Sequence, residues 1–212
     1  MSATVEPQVY LVDADGDAHS LLEAAGFYPA RFASGPEFLE AWAHEHGPIR
    51  CLVLDVSAAG QDGRDLLQTL HDMQVPIPLV VAAHQPSVAV VVRALKLGAL
   101  TVLERPIRDA ELLAAVQEAL ALYERGQKLL HERQRAAQAM SDLTPRESQV
   151  FELMAAGTPN REIAEQLGIS PKTLDIHRAN VMEKMKARTP ADLARAQILT
   201  RAEPRILPFL FP

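Results

Sequence analysis

The stretch Cys51-Leu52-Val53-Leu54-Asp55 decides the fold. Four apolar residues in a row, closed by a carboxylate, read as a strand buried on both faces, and such strands belong to parallel sheets. The pattern recurs on either side. Val9–Val12 is apolar and ends at Asp13, Leu79–Ala83 is apolar throughout, and Thr101–Glu104 is followed by Arg105-Pro106, while Pro29–Ala33 is a weaker strand. Amphipathic stretches separate these runs. Asp17–Ala25 stops at Gly26, Ser34 caps a helix through His44, Gly63–Met73 carries Leu66, Leu67 and Leu70 at helical spacing, and Ser87–Leu97 is closed by Gly98. A further helix starts near Asp109. The order βα repeated five times predicts an α/β fold, a doubly wound parallel sheet. Ligands in such sheets bind beyond the carboxyl ends of the strands. Asp13, Asp15 and Asp55 fall there, and clustered carboxylates call for a neutralising partner such as Mg²⁺.

Composition bounds the rest. Of 212 residues 48% are apolar and 23% charged, which excludes a largely disordered chain. The net charge of −6 is unevenly spread: residues 1–122 carry −9 and residues 123–212 carry +3. That split predicts an acidic half and a mildly basic half with different partners. Cys51 is the only cysteine, so there is no disulfide framework and no cysteine-based zinc site, and its apolar neighbours make it a core residue. The N-terminus lacks the basic and apolar regions of a signal peptide, and no apolar run reaches the roughly 18–20 residues of a membrane span. A cytoplasmic location without a membrane partner is expected.

The first half resembles a response-regulator receiver domain over roughly residues 8–122. Val9-Tyr10-Leu11-Val12-Asp13-Ala14-Asp15 resembles the family's first strand and acidic cluster, and Asp55 falls on the phosphoacceptor. Gly63 falls on the glycine that opens the third helix, and Leu97-Gly98-Ala99 and Arg105-Pro106 match the end of the fourth helix and the turn after the fifth strand. The resemblance implies an acidic pocket of Asp13 and Asp15, with Mg²⁺ on Asp13, Asp15 and Asp55 if the metal binds, and a sensor histidine kinase as partner. Five positions depart from the family, one being Ala59, which replaces the proline of the loop after the phosphoacceptor. Ala14 replaces the second aspartate, a direct Mg²⁺ ligand; Ala82 replaces the Ser/Thr that contacts the phosphoryl oxygens; Arg105 replaces the lysine; and Val102 replaces the switching aromatic. Phosphoryl transfer to a carboxylate depends on positioning and charge neutralisation. The expectation is an atypical receiver that needs no cofactor and is switched independently of conventional phosphorylation. Phosphorylation at Asp55 is the alternative, and a pseudo-receiver adaptor that binds a kinase or another protein is a third reading.

From Asp109 to about Met140 no proline interrupts a long helix. Residues 123–140 read as a linker, with Leu130, Gln134 and Ala137 continuing an apolar spacing that dilutes into polar residues. A two-stranded coiled coil and a solvated spacer both remain open. Beyond it, Thr144-Pro145-Arg146-Glu147 is a capping-box helix start, Asn160 is expected to cap a short helix over Arg161–Leu167, Gly168 makes a turn, and Ser170-Pro171 starts a longer helix. A fourth helix runs from about Pro190 to Leu199. Short helix, glycine turn and longer helix form the helix-turn-helix pattern. Leu143–Glu147, Gly157, Asn160–Ala164, Leu167–Ser170, Thr173-Leu174 and His177–Met182 closely resemble the LuxR-type DNA-binding domain. Together the halves resemble NarL/FixJ-class transcription factors, of the FixJ-like branch. The domains expected are a receiver over 1–122, the linker, an all-α four-helix DNA-binding domain over 141–203, and a Pro-rich apolar tail over 204–212, either a mobile end or a docking segment.

In the recognition helix Leu174, His177 and Val181 take the inward spacing. Asp175, Ile176 and Ala179 are the expected base contacts: a carboxylate accepts from cytosine N4, and an isoleucine touches a thymine methyl. Lys172, Thr173, Arg178, Asn180 and Lys184 are the expected phosphate contacts, which position the protein without reading sequence. The partner implied is double-stranded DNA, bound by a homodimer that compensates for the small positive charge of each copy. No nucleophile–base pair appears outside the receiver pocket, so an enzyme is not expected.

Overall fold

The computed structural model describes residues 9–12, 17–45, 50–56, 60–73 and 77–202. Asp13, Ala14, Asp15 and the 204–212 tail therefore lie outside the described residues. The chain splits into two compact units, Met1–Arg125 and Gly126–Pro212.

In the first unit β1 (Val9–Val12), β2 (Pro29–Phe32), β3 (Leu52–Asp55), β4 (Leu79–His84) and β5 (Ala99–Arg105) form one sheet in the order β2-β1-β3-β4-β5. Every pair is parallel. Successive side chains of a strand point to opposite faces, and both faces are covered. Tyr10, Val12, Leu52, Leu54 and Val81 pack with Phe38, Leu66, Leu67 and Leu70 from α2 (Gly35–Glu45) and α3 (Gly60–Asp72). Val9, Leu11, Val53 and Val80 pack with Leu22 of α1 (Asp17–Ala24) and with Leu112 and Val116 of α5 (Asp109–Ser141). This double burial is why β1 and β3 read as unbroken apolar runs. Cys51 is fully buried, and burial pushes its thiol up to about 12, so it is a packing residue.

Several boundaries differ from the sequence reading. Helix α3 starts at Gly60, so Gly63 lies inside its first turn and does not open it. The leucine spacing marks the buried face, whereas a first turn needs no apolar residue. Strand β5 starts at Ala99, because pairing with β4 extends two residues ahead of Thr101. Helix α4 (Val88–Lys96) is capped by Ser87, whose side chain accepts from the Val90 N–H.

The second unit is helical: α6 (Pro145–Ala155), α7 (Asn160–Leu167), α8 (Pro171–Lys184) and α9 (Pro190–Arg201). Val150, Phe151, Met154, Ile163, Leu174, Val181 and Leu193 make its core. The capping box forms as expected, with Thr144 accepting from the Glu147 N–H and Glu147 accepting from the Thr144 N–H. Asn160 is not a cap: it is the first residue of α7, behind Pro159, and no side chain caps that end. Gly168 has a φ of +62°, a backbone that L side chains rarely adopt, and this places the turn between α7 and α8.

The unit boundary falls inside α5, and several residues of 126–141 pack within the second unit. Leu129 is buried against Leu199 of α9, with the seam residue Leu130 packed beside it. Glu132 accepts from Arg195 at 2.8 Å, and Met140 and Leu143 pack on the core of the unit. The segment does dilute into polar residues, but Leu129, Leu130 and Met140 pack within the second unit. Among the described residues no helix is long and apolar enough to cross a membrane.

Candidate functional site: the receiver pocket and the DNA-reading helix

Asp55 is the last residue of β3 and is 1% exposed. Its register partner on β4 is Ala82, whose own partner on β5 is Leu103, while Arg105 closes β5 opposite His84. From β3 to β5 is about 10 Å, two inter-strand spacings. The Arg105 and Asp55 side chains together bridge that distance, and Ala82, on the strand between, carries only a methyl. The Arg105 Nε meets Asp55 Oδ2 as an ion pair, largely out of water. The Arg105-Pro106 bond is cis. A cleft of about 570 Å³, lined by His84, Gln85, Val102, Glu104, Arg105 and Arg108 among others, opens at the same end of the sheet. Val102 is half-buried against the first core layer.

Of the three carboxylates expected to hold Mg²⁺, the structure describes only Asp55, and its Oδ2 already faces a guanidinium. A hard dication needs several oxygen ligands. Among the described residues Asp55 is the one carboxylate of that set, and it is engaged by a cation.

The second site is α8. Ser170 caps it, its side chain accepting from the Thr173 N–H, and Pro171 occupies the first turn. Leu174 and Val181 are buried and His177 is half-buried, as their spacing predicts. Lys172, Asp175, Ile176 and Ala179 are all exposed. Their spacing of three, four and seven puts them on one stripe of the helix. Thr173 is exposed near the N-terminus, its hydroxyl 2.8 Å from that of Ser170. Arg178 is half-buried, 3.7 Å from Asp175, and Asn180 is half-buried too. The N-terminus of such a helix presents free N–H groups and a positive dipole end, which suits phosphate.

Lys184 is placed differently from the expected phosphate contact. Its ammonium donates to Glu147 Oε2 at 2.7 Å and to the Asp142 carbonyl at 3.1 Å. Glu147 is 4% exposed, and the Lys184 hydrogen bond, with help from Thr144, lowers its carboxyl to about 2. Sequence reasoning identified Glu147 as half of a capping box but missed its second partner, 37 residues away. It also missed Arg146, whose guanidinium donates to the carbonyl of Leu167, the last residue of α7. A cation there complements the negative end of that helix.

Residues 16–117 match the response regulator receiver domain family, and residues 141–196 match the family of bacterial regulatory proteins of the luxR type. The chain is 35% identical over 196 residues to the transcriptional regulatory protein FixJ of Bradyrhizobium diazoefficiens, covering 91% of this chain and 95% of that one. It is 34% identical over 197 residues to the C4-dicarboxylate transport transcriptional regulatory protein DctR of Rhodobacter capsulatus, covering 88% and 97%. Among solved structures, the response regulator StyR is similar at a TM-score of 0.69 and 32% identity, over 93% of this chain and all of that one. With a five-stranded parallel receiver sheet, a capped recognition helix behind a glycine turn and relatives matched along nearly their whole length, the chain belongs to the FixJ-like response regulators, transcription factors that bind DNA through a LuxR-type helix-turn-helix.

Proposed function

We propose that this regulator is switched without conventional aspartyl phosphorylation, its receiver held by the internal Asp55–Arg105 ion pair. The observation that carries this reading is that pair: the phosphoacceptor carboxylate is buried and already neutralised by a cation on the same chain. Ala82, beside Asp55 in register, offers no hydroxyl to a phosphoryl group, and Ala14 offers no metal ligand. Arginine presents a planar fork and is not interchangeable with the compact ammonium of lysine. On the output side, Asp175, Ile176 and Ala179 read base edges, and Lys172, Thr173, Arg178 and Asn180 contact phosphates. Two copies bind a two-fold related site on double-stranded DNA, because a +3 half gives each copy little non-specific affinity. A regulator that reads DNA works where the DNA is, which supports the cytoplasmic assignment.

The retained carboxylate at the mouth of the sheet favours a second reading, phosphorylation of Asp55 by a histidine kinase. Intact mass after incubation with acetyl phosphate and Mg²⁺ separates the two. No stoichiometric gain of a phosphoryl group is expected, and DNA selected from a random pool is expected to be the same with and without acetyl phosphate. A full phosphoryl shift that is lost in Asp55→Asn would sink the proposal. An adaptor role for the whole chain requires that no duplex be selected at all.

A further inference from the structure

Lys184 closes α8, and its ammonium bridges two other elements. One acceptor is Glu147, in the first turn of α6, and the other is the carbonyl of Asp142, the residue after α5 ends. The Glu147 carboxylate is itself held in place: Oε2 accepts from the Thr144 N–H at 2.9 Å and from the Thr144 hydroxyl at 3.0 Å. The pair is therefore anchored on a rigid cap, and Glu147 is almost fully buried while Lys184 is about one-third exposed. An exposed lysine that merely decorated the helix would not meet a buried carboxylate and a backbone carbonyl together. Two of the three N–H donors of the ammonium are spent on these acceptors, and drawing it away onto a phosphate would leave Glu147 as a buried, uncompensated carboxylate.

We infer that Lys184 is a positioning residue for DNA recognition: it pins the end of the reading helix to the Glu147 cap and to the turn leaving α5, and contributes no phosphate contact of its own. The face bearing Asp175, Ile176 and Ala179 is thus oriented from both ends, by the Ser170 cap at the start and by Lys184 at the finish. Residues 126–141 of α5 pack on α9, so the turn at Asp142 is itself firmly seated. The inference rests on α8 being the element that enters DNA, which selection of a duplex by the wild-type chain checks separately.

The test uses the full chain, the best duplex that the wild type selects from a random pool, and three variants: Lys184→Met, Glu147→Gln and the double variant. Melting curves establish that each is folded at the assay temperature, and glutamine at position 147 keeps the capping box. Affinity is expected to fall roughly fivefold in each single variant, with the double variant no weaker than either, as for two residues acting as one unit. The slope of log affinity against log salt is expected to stay at the wild-type value. If Lys184 instead neutralises a phosphate, Lys184→Met lowers that slope by about 0.9, and Glu147→Gln frees the ammonium and leaves affinity equal or higher. Either result overturns the inference. So does a lower melting temperature with unchanged affinity of the folded protein, which is what a purely stabilising pair would give.

Discussion

At the scale of single residues, Asp55 and Arg105 show how a charged pair fits into a sheet's mouth. Removing one partner of a buried pair leaves the other uncompensated, so Arg105→Ala is expected to destabilise the first unit by about 3 kcal/mol in urea unfolding. Glu147 behaves in the opposite way from a solvated carboxylate. Its folded value of about 2 lies below the roughly 4.3 of an unfolded chain, so its contribution is full above about pH 4.3 and fades as the pH falls towards 2. Unfolding measured through that window is expected to show a steeper loss for the wild type than for Glu147→Gln. Asp192 titrates in the same direction, lowered by the N–H groups of Thr189 and Arg188, and comparison with the variant isolates Glu147. On the reading helix, Asp175→Ala is expected to change which base is preferred at one position, a discrimination of about 1–3 kcal/mol. Arg178→Ala is expected to weaken all duplexes alike. Binding arrays over single-base variants of a selected site compare the two, and equal losses across every sequence would show that the roles are misassigned.

At the scale of elements, helix ends and helix faces carry different kinds of information. Thr144, Ser170 and Thr189 are each followed by proline and each accepts a backbone N–H three residues on; the first two starts were read from the sequence, and the Thr189 cap follows the same rule. Asn160 shows where the rule stops: a residue with capping chemistry sits one position inside α7, because Pro159 already leaves the chain extended. The far half of α5 is the clearest case of a face that only its neighbour explains. Leu129 is 4% exposed and Leu199 is 2% exposed, so their contact is a small dry core between two helices. Leu129→Ala is expected to cost about 2–3 kcal/mol in the unfolding of the second unit. The first unit should unfold unchanged, as differential scanning calorimetry of the full chain can resolve.

For the whole molecule, the division at Arg125 and Gly126 matters more than the change in charge that first suggested two halves. A fragment beginning at residue 142 keeps the four helices α6 to α9 but loses Leu129, Glu132 and Met140. A fragment beginning at residue 126 keeps them, and it is expected to melt several degrees higher and to resist proteolysis longer. Equal melting temperatures would show that the α5–α9 contacts contribute nothing. The acidic unit carries its one described acidic functional residue, Asp55, already paired. In the basic unit, four of the lysines and arginines after the glycine turn face carboxylates within the fold: Arg178 with Asp175, Lys184 with Glu147, Arg195 with Glu132 and Arg201 with Glu152. The charge available to DNA is therefore smaller than a count of basic residues suggests, which strengthens the case for two copies on one site.

By itself the sequence determined the parallel sheet, the two core layers, the helix-turn-helix and an outward set of Lys172, Asp175, Ile176, Arg178 and Ala179, of which the structure half-buries Arg178. Each follows from periodicity and local chemistry, which act between near neighbours: an unbroken apolar run needs two covered faces, and a cap needs an N–H three residues away. Only the tertiary structure decided that Arg105 reaches Asp55, that Lys184 turns inward to Glu147 and Asp142, and that the end of α5 lies on α9. Those partners are from 37 to 70 residues apart in the chain, and no local pattern specifies them. A long charged side chain looks the same in sequence whether it meets water, phosphate or a buried carboxylate. The difference is the desolvated partner that folding places beside it.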